Sequence, residues 1–121
     1  MTVQELLSLT KVYWYTDLDL EIKDHTPRIV CMDGTSLSVQ AGENNYSSPR
    51  HNRGPYTQVE VGFPNRRIEE LMPYMDGDAD TDPTDTVYGY VPIEIVEQIV
   101  KDCGGIAVEI TMLAKGSEAY L

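Results

Sequence analysis

Polar and apolar residues alternate along Ser36-Leu37-Ser38-Val39-Gln40-Ala41, with Leu37, Val39 and Ala41 on one side and Ser36, Ser38 and Gln40 on the other. A period of two predicts a strand with one buried and one wet face. Ile29-Val30-Cys31 precedes it across Asp33-Gly34. Asp-Gly suits a two-residue type I′ loop, in which both central residues take φ > 0, so a hairpin is expected here. The same alternation recurs over 57–63, with Val59, Val61 and Phe63 inward, and over 86–91, with Val87 and Val91 opposite Tyr88 and Tyr90. It recurs again over 106–113, with Ile106, Val108, Ile110 and Met112 inward, and over 11–23, where Val12, Trp14, Leu18, Leu20 and Ile22 alternate with charged or tyrosine positions.

One segment has helical spacing instead. Ile93, Val96, Ile99, Val100 and Cys103 recur three and four apart, Pro92 opens the run and Gly104-Gly105 closes it, which predicts a helix over 92–103. Thr2 and Glu5 form a capping-box pattern ahead of a short helix over 3–9, and Asn65 is placed to cap a helical segment over 66–72. Together these elements predict an α+β fold. An antiparallel sheet of about five strands carries the 92–103 helix on one face, in a single domain spanning 1–121 with a loose tail from about 114. Leu37, Val39, Val59, Val61, Val96, Ile99, Val108 and Ile110 are the expected core.

Charge changes the picture next. The 121 residues carry 20 acidic and 9 basic side chains, a net −11 with a pI near 4.4. Such a surface repels nucleic acid and anionic membranes and attracts basic protein surfaces. No apolar run is long enough for a spanning helix and no leader is evident, so a cytoplasmic protein is expected. Cys31 and Cys103 are expected to be small buried hydrophobes rather than a disulfide.

Two unperiodic stretches are candidate sites. The first, 76–85, holds Asp76, Asp78, Asp80, Asp82 and Asp85. Oxygen ligands at alternate positions suggest calcium, but the required Gly and terminal Glu are missing in either register, so a solvated acidic surface for a partner is expected and no metal. The second, 42–56, holds Tyr46, Ser48, Arg50, Arg53 and Tyr56, which offer guanidinium forks, hydroxyls and aromatic faces suited to a phosphate with an attached base. It lies in a locally basic region with Arg28, Arg66 and Arg67, and the alternative is simple charge balance.

Catalytic patterns are weak. His25 and His51 have no metal-ligand spacing, Ser47, Ser48 and His51 are near only in sequence, and adjacent Glu69 and Glu70 point apart on a helix. No catalytic residue, cofactor or enzymatic activity is expected. Four tyrosines, Tyr13, Tyr15, Tyr88 and Tyr90, are placed to line the outer face of the sheet.

The runs Asp33-Gly34 with Ser36 to Ala41, Tyr46-Ser47-x-Pro49-Arg50, Val59-Glu60-Val61-Gly62-Phe63-Pro64 and Val87-Tyr88-Gly89-Tyr90-Val91-Pro92 resemble small proteins carried by phages and prophages of gut bacteria, over residues 28 to 105. That group has no settled activity. The resemblance implies a phage accessory protein, and size and acidity are similar to those of proteins that blunt host defence. Two expectations follow. One is an anti-CRISPR-like inhibitor that binds a basic host protein such as a nuclease complex, without direct nucleic-acid or membrane contact and with either a monomer or a homo-oligomer as its state. The other is a protein that sequesters a nucleotide-type signal through the 46–56 loop.

Overall fold

The computed structural model describes residues 1–8 and 26–111. The expected strand over 11–23, with Tyr13, Trp14 and Tyr15, lies outside the described residues, as do His25, Met112 and the tail. The fold is α+β. Four antiparallel strands, β1 (Ile29–Val30), β2 (Ser36–Gln40), β3 (Gln58–Gly62) and β4 (Val87–Pro92), follow one another in the order β1-β2-β3-β4. Helix α1 (3–8), a 3₁₀ segment Glu69–Tyr74 and helix α2 (Ile93–Asp102) bury their apolar sides in the same cluster as the sheet. Among the described residues no helix is long and apolar enough to cross a membrane.

The hairpin forms, but one residue out of the register a two-residue Asp33-Gly34 turn implies, with Ile29 opposite Leu37 and Val30 opposite Ser36. Its loop is not the two-residue turn. Cys31 N–H donates to Thr35 O (2.8 Å), Gly34 N–H donates to Cys31 O (2.9 Å), and of the turn residues only Gly34 has positive φ, at 93°. Met32-Asp33-Gly34 is therefore a three-residue loop, a tight turn followed by a left-handed glycine. Asp33 Oδ1 accepts from Thr35 N–H (2.8 Å) and fixes it.

Parity breaks in β4. Val59 pairs with Val91 and Val61 with Tyr88, so β3 advances two residues while β4 advances three, and Gly89-Tyr90 bulges opposite Glu60. Tyr90 takes φ +52° and sends its N–H to Tyr46 O (2.9 Å). The extra residue puts both Tyr88 and Val91 in the core and leaves Tyr90 outside. Tyr88 thus departs from the expected outer tyrosine row. Phe63 also leaves its expected face: its φ of +49° turns the chain out of β3 and the ring is exposed. Gln40, expected on the wet face, is buried because it pairs with the backbone of Thr26 (2.7 and 2.8 Å).

Six of the eight expected core residues, Leu37, Val39, Val59, Val61, Val96 and Ile99, are buried. Val108 and Ile110 are not, and the strand over 106–113 does not form among the described residues. Ile106 makes a single bridge with Cys31, and 108–111 are helical. Ala107 and Thr111, four apart, face inward instead, because Ala107 N–H donates to Val30 O (2.7 Å) and Thr111 Oγ1 accepts from Val30 N–H (3.1 Å). The edge of β1 recruits the polar residue that can satisfy it.

The helical segment after β3 runs 69–74 rather than 66–72, and Asn65 does not cap it. Its side chain accepts from Ser36 N–H and donates to Gly34 O (both 2.9 Å), stapling the hairpin. At the N-terminus the capping box is present: Thr2 N–H donates to Glu5 Oε1 (2.8 Å) and Glu5 N–H to Thr2 Oγ1 (3.0 Å). Glu97 on α2 accepts the amides of Val3 (2.8 Å) and Gln4 (3.2 Å), so α2 caps α1 from across the core.

Candidate functional site

The aspartate-rich loop is built on two self-bonded turns. Asp78 Oδ1 accepts from Asp80 N–H (2.9 Å), and Asp82 Oδ1 accepts from Thr84 N–H (2.9 Å) and Thr84 Oγ1 (2.8 Å). These bonds hold the Asp82 carboxyl below its ordinary value, the backbone amide of Thr84 contributing most and its hydroxyl next. Thr81 Oγ1 accepts from Asp78 N–H (2.9 Å) and lies where a Cβ on Gly77 would stand, at 2.3 Å. Only glycine fits position 77, whose φ is +141°. Tyr88 anchors the loop from the core, its hydroxyl donating to Pro83 O (2.5 Å).

All five aspartates are exposed. Two carboxylates are used to shape the loop, and those of Asp76, Asp80 and Asp85 form no hydrogen bond among the described residues. Among those residues the one ion pair is Arg67 with Glu69 (2.6 Å), so none of the described Lys or Arg side chains pairs with these carboxylates. No group of three or more His, Cys, Asp or Glu there is arranged to hold a metal ion.

The structure separates the five residues of the 42–56 loop. Tyr46 and Arg50 come together: the guanidinium lies 5.8 Å from the centre of the exposed Tyr46 ring. Arg53 is exposed, with its backbone N–H donating to His51 Nδ1 (3.4 Å). Ser48 is used internally, its hydroxyl donating to Gln58 Oε1 (2.9 Å) where Ser48 bridges to Gln58. Tyr56 is a core side chain, 2% exposed, and its hydroxyl donates to His51 O (2.9 Å). Gln4 of α1 grips its backbone twice, accepting from Tyr56 N–H (2.8 Å) and donating to Tyr56 O (2.9 Å).

Tyr90 completes the surface that Tyr46 begins, the two rings 5.8 Å apart and inclined by 35°. Period-two reading could place Tyr90 outward but not beside Tyr46, because the bulge brings the loop onto β4. Gly89 permits that approach, since a Cβ there would meet Tyr46 Cβ at 3.2 Å. Glu60 holds the loop from below, accepting from Tyr46 N–H and Asn45 Nδ2 (both 3.3 Å).

The remaining arginines do not join Arg50. Arg28 donates to Ser36 Oγ (3.1 Å) and to the carbonyls of Ser36 (3.2 Å) and Phe63 (2.5 Å); Arg66 donates to Thr35 Oγ1 (3.1 Å), and Arg67 pairs with Glu69. Two of the five arginines of that region, Arg28 and Arg66, are spent on backbone and hydroxyl acceptors, and a third, Arg67, on a carboxylate. Ser47 is buried, accepting from Gly42 N–H (3.1 Å) and donating toward Pro49 O (3.1 Å), so neither neighbouring serine is paired with His51.

No family model matches the chain, and neither a curated protein nor a solved structure does.

Proposed function

We propose that this chain is a phage or prophage accessory protein that acts in the host cytoplasm by binding, without turnover, a host protein with a basic surface, in the manner of an anti-CRISPR inhibitor occupying a nucleic-acid site. The observation that supports this reading is the loop of Asp76, Asp78, Asp80, Asp82 and Asp85: five exposed carboxylates, unpaired with Lys or Arg among the described residues, on a backbone already held by Thr81, Thr84 and Tyr88. A loop ordered before encounter loses less entropy on binding, and unneutralised charge speeds association with a basic partner. The net charge of −11 acts in the same direction.

The pairing of Arg50 with Tyr46 beside Tyr90 favours the second reading, sequestration of a nucleotide-type ligand. It has fewer groups to offer than the sequence suggests, because Ser48 and Tyr56 are committed inside the fold. One comparison separates the two: Asp78, Asp80 and Asp82 all changed to Lys, against Arg50→Ala with Arg53→Ala, each scored for protection of phage in a defended host. The first reading expects the aspartate variant to lose protection, with the association rate falling, and the arginine variant to keep it. The reverse result supports the ligand reading, and protection retained by both variants overturns both. Native mass spectrometry of protein taken from infected cells gives an independent result, a protein partner in one case and a bound small nucleotide in the other.

A further inference from the structure

Cys31 and Cys103 are far apart in the chain, yet the fold brings together the segments that carry them. The tip of the β1–β2 hairpin lies against the end of α2: Asp33 N–H donates to Cys103 O (3.1 Å), Met32 N–H donates to Gly105 O (3.0 Å), and Cys31 bridges to Ile106. The approach is close enough that a Cβ on Gly104, whose φ is +94°, would stand 2.9 Å from Met32 Cβ. Both cysteines are buried and free. Burial pushes the Cys31 thiol up, and Cys103 and the Asp33 carboxylate both lie near enough to it to help. Arg66 Nη2 donates to Cys103 Sγ (3.4 Å), and that arginine is held in place by its bonds to Thr35 Oγ1 (3.1 Å) and Arg67 O (3.2 Å).

A pair of inert apolar thiols needs no guanidinium. The guanidinium N–H aimed at Cys103 Sγ singles out that sulfur as the one placed to attack. The hairpin tip that follows Cys31, made of Met32, Asp33 and Gly34, is exposed. We propose that Cys31 and Cys103 are a two-electron redox pair that closes to an intramolecular disulfide on meeting hydrogen peroxide, with Cys103 attacking and Cys31 resolving.

The Cys103 thiol gives up its proton, and its thiolate attacks one peroxide oxygen. The O–O bond breaks, hydroxide leaves and takes up that proton as water, and Cys103 becomes a sulfenic acid. The Cys31 thiol then attacks the Cys103 sulfur. The S–S bond forms, the S–O bond breaks, and the departing hydroxide leaves with the Cys31 proton as a second water. Two thiols and one peroxide give one disulfide and two waters, the two electrons passing from sulfur to oxygen. Burial first, then the neighbouring Cys103 and Asp33, push the Cys31 thiol up to about 11, which suits the resolving thiol rather than the attacking one.

The test treats the intact chain with limiting peroxide, then quenches in acid, denatures and alkylates. The expected result is loss of both alkylatable thiols together and a linked pair of tryptic peptides, 29–50 and 102–115, that dithiothreitol separates. Cys31→Ser should stop at a Cys103 sulfenic acid trapped by dimedone, and Arg66→Gln should slow oxidation roughly tenfold while reaching the same disulfide. Oxidation of Cys103 to sulfinic acid with Cys31 still alkylatable, cross-linking between chains, or two thiols that stay alkylatable while the urea-unfolded chain oxidises would each overturn the proposal.

Discussion

Replacing Glu97 by Ala removes the acceptor for two of the amides that open α1, those of Val3 at 2.8 Å and Gln4 at 3.2 Å. The first four amides of a helix have no partner within it. Thr2 and Glu5 satisfy each other's amides, so Glu97 completes the set of four. Two charge-assisted bonds set an upper bound of about 1.5–3 kcal/mol each. Glu97 is only half-buried, and water can replace part of what it gives, so the lower range of a lost cap with its dipole term applies, roughly 2 kcal/mol in all. For a domain of this size that lowers Tm by roughly 10 °C. Glu97→Gln keeps an oxygen and loses the charge, and should cost about 1 kcal/mol. Urea unfolding of the three proteins at pH 7 reads these differences from the midpoints. Because Gln4 also holds the backbone of Tyr56, the Tyr56 amide should exchange faster in Glu97→Ala, linking α1 to the 42–56 loop. A loss under about 0.5 kcal/mol for Glu97→Ala, with Tyr56 exchange unchanged, would refute the argument.

Ile99→Ala should cost about 2–4 kcal/mol by urea unfolding, since the side chain is 2% exposed inside the main cluster. The raised Cys31 thiol carries a definite sign: between about pH 9 and 11 the folded chain holds a proton that the unfolded chain has lost, so stability present below that window falls as pH rises through it. The loss should be on the order of 1 kcal/mol and should vanish in Cys31→Ala when both are compared by unfolding across that range. Millimolar Ca²⁺ should move Tm by less than about 1 °C, because two of the loop carboxylates are already turned onto their own backbone; a rise near 10 °C would show a real site.

The elements legible in the sequence are those whose pattern is carried by adjacent residues. Alternation in Ser36–Gln40 and Gln58–Gly62 and the three-four spacing of Ile93, Val96, Ile99 and Val100 are local consequences of strand and helix geometry, and all survive in the fold. So does the capping box of Thr2 and Glu5, whose partners are three residues apart. The exposure of the aspartate loop belongs to the same class, since five carboxylates in ten residues have no apolar face to bury.

What failed to be legible depends on a partner distant in sequence. One extra residue in β4 reverses the parity of Tyr88, and nothing local distinguishes a bulge from a continuing strand until Tyr90 N–H finds Tyr46 O. The pattern Ile106, Val108, Ile110 reads as a strand, but the free edge of β1 takes Ala107 and Thr111 instead. Tyr56 and Ser48 look like ligand groups in the sequence because both are polar loop residues; the core takes the Tyr56 ring while Gln4 holds its backbone from 52 residues away, and Gln58 takes the Ser48 hydroxyl. Composition and local periodicity thus determined the fold class, most of the core and the acidic surface of this protein. Tertiary structure alone decided which tyrosines face solvent and that the segments carrying Cys31 and Cys103 come together, because each rests on a hydrogen bond or close approach between segments whose separation along the chain leaves no periodic trace.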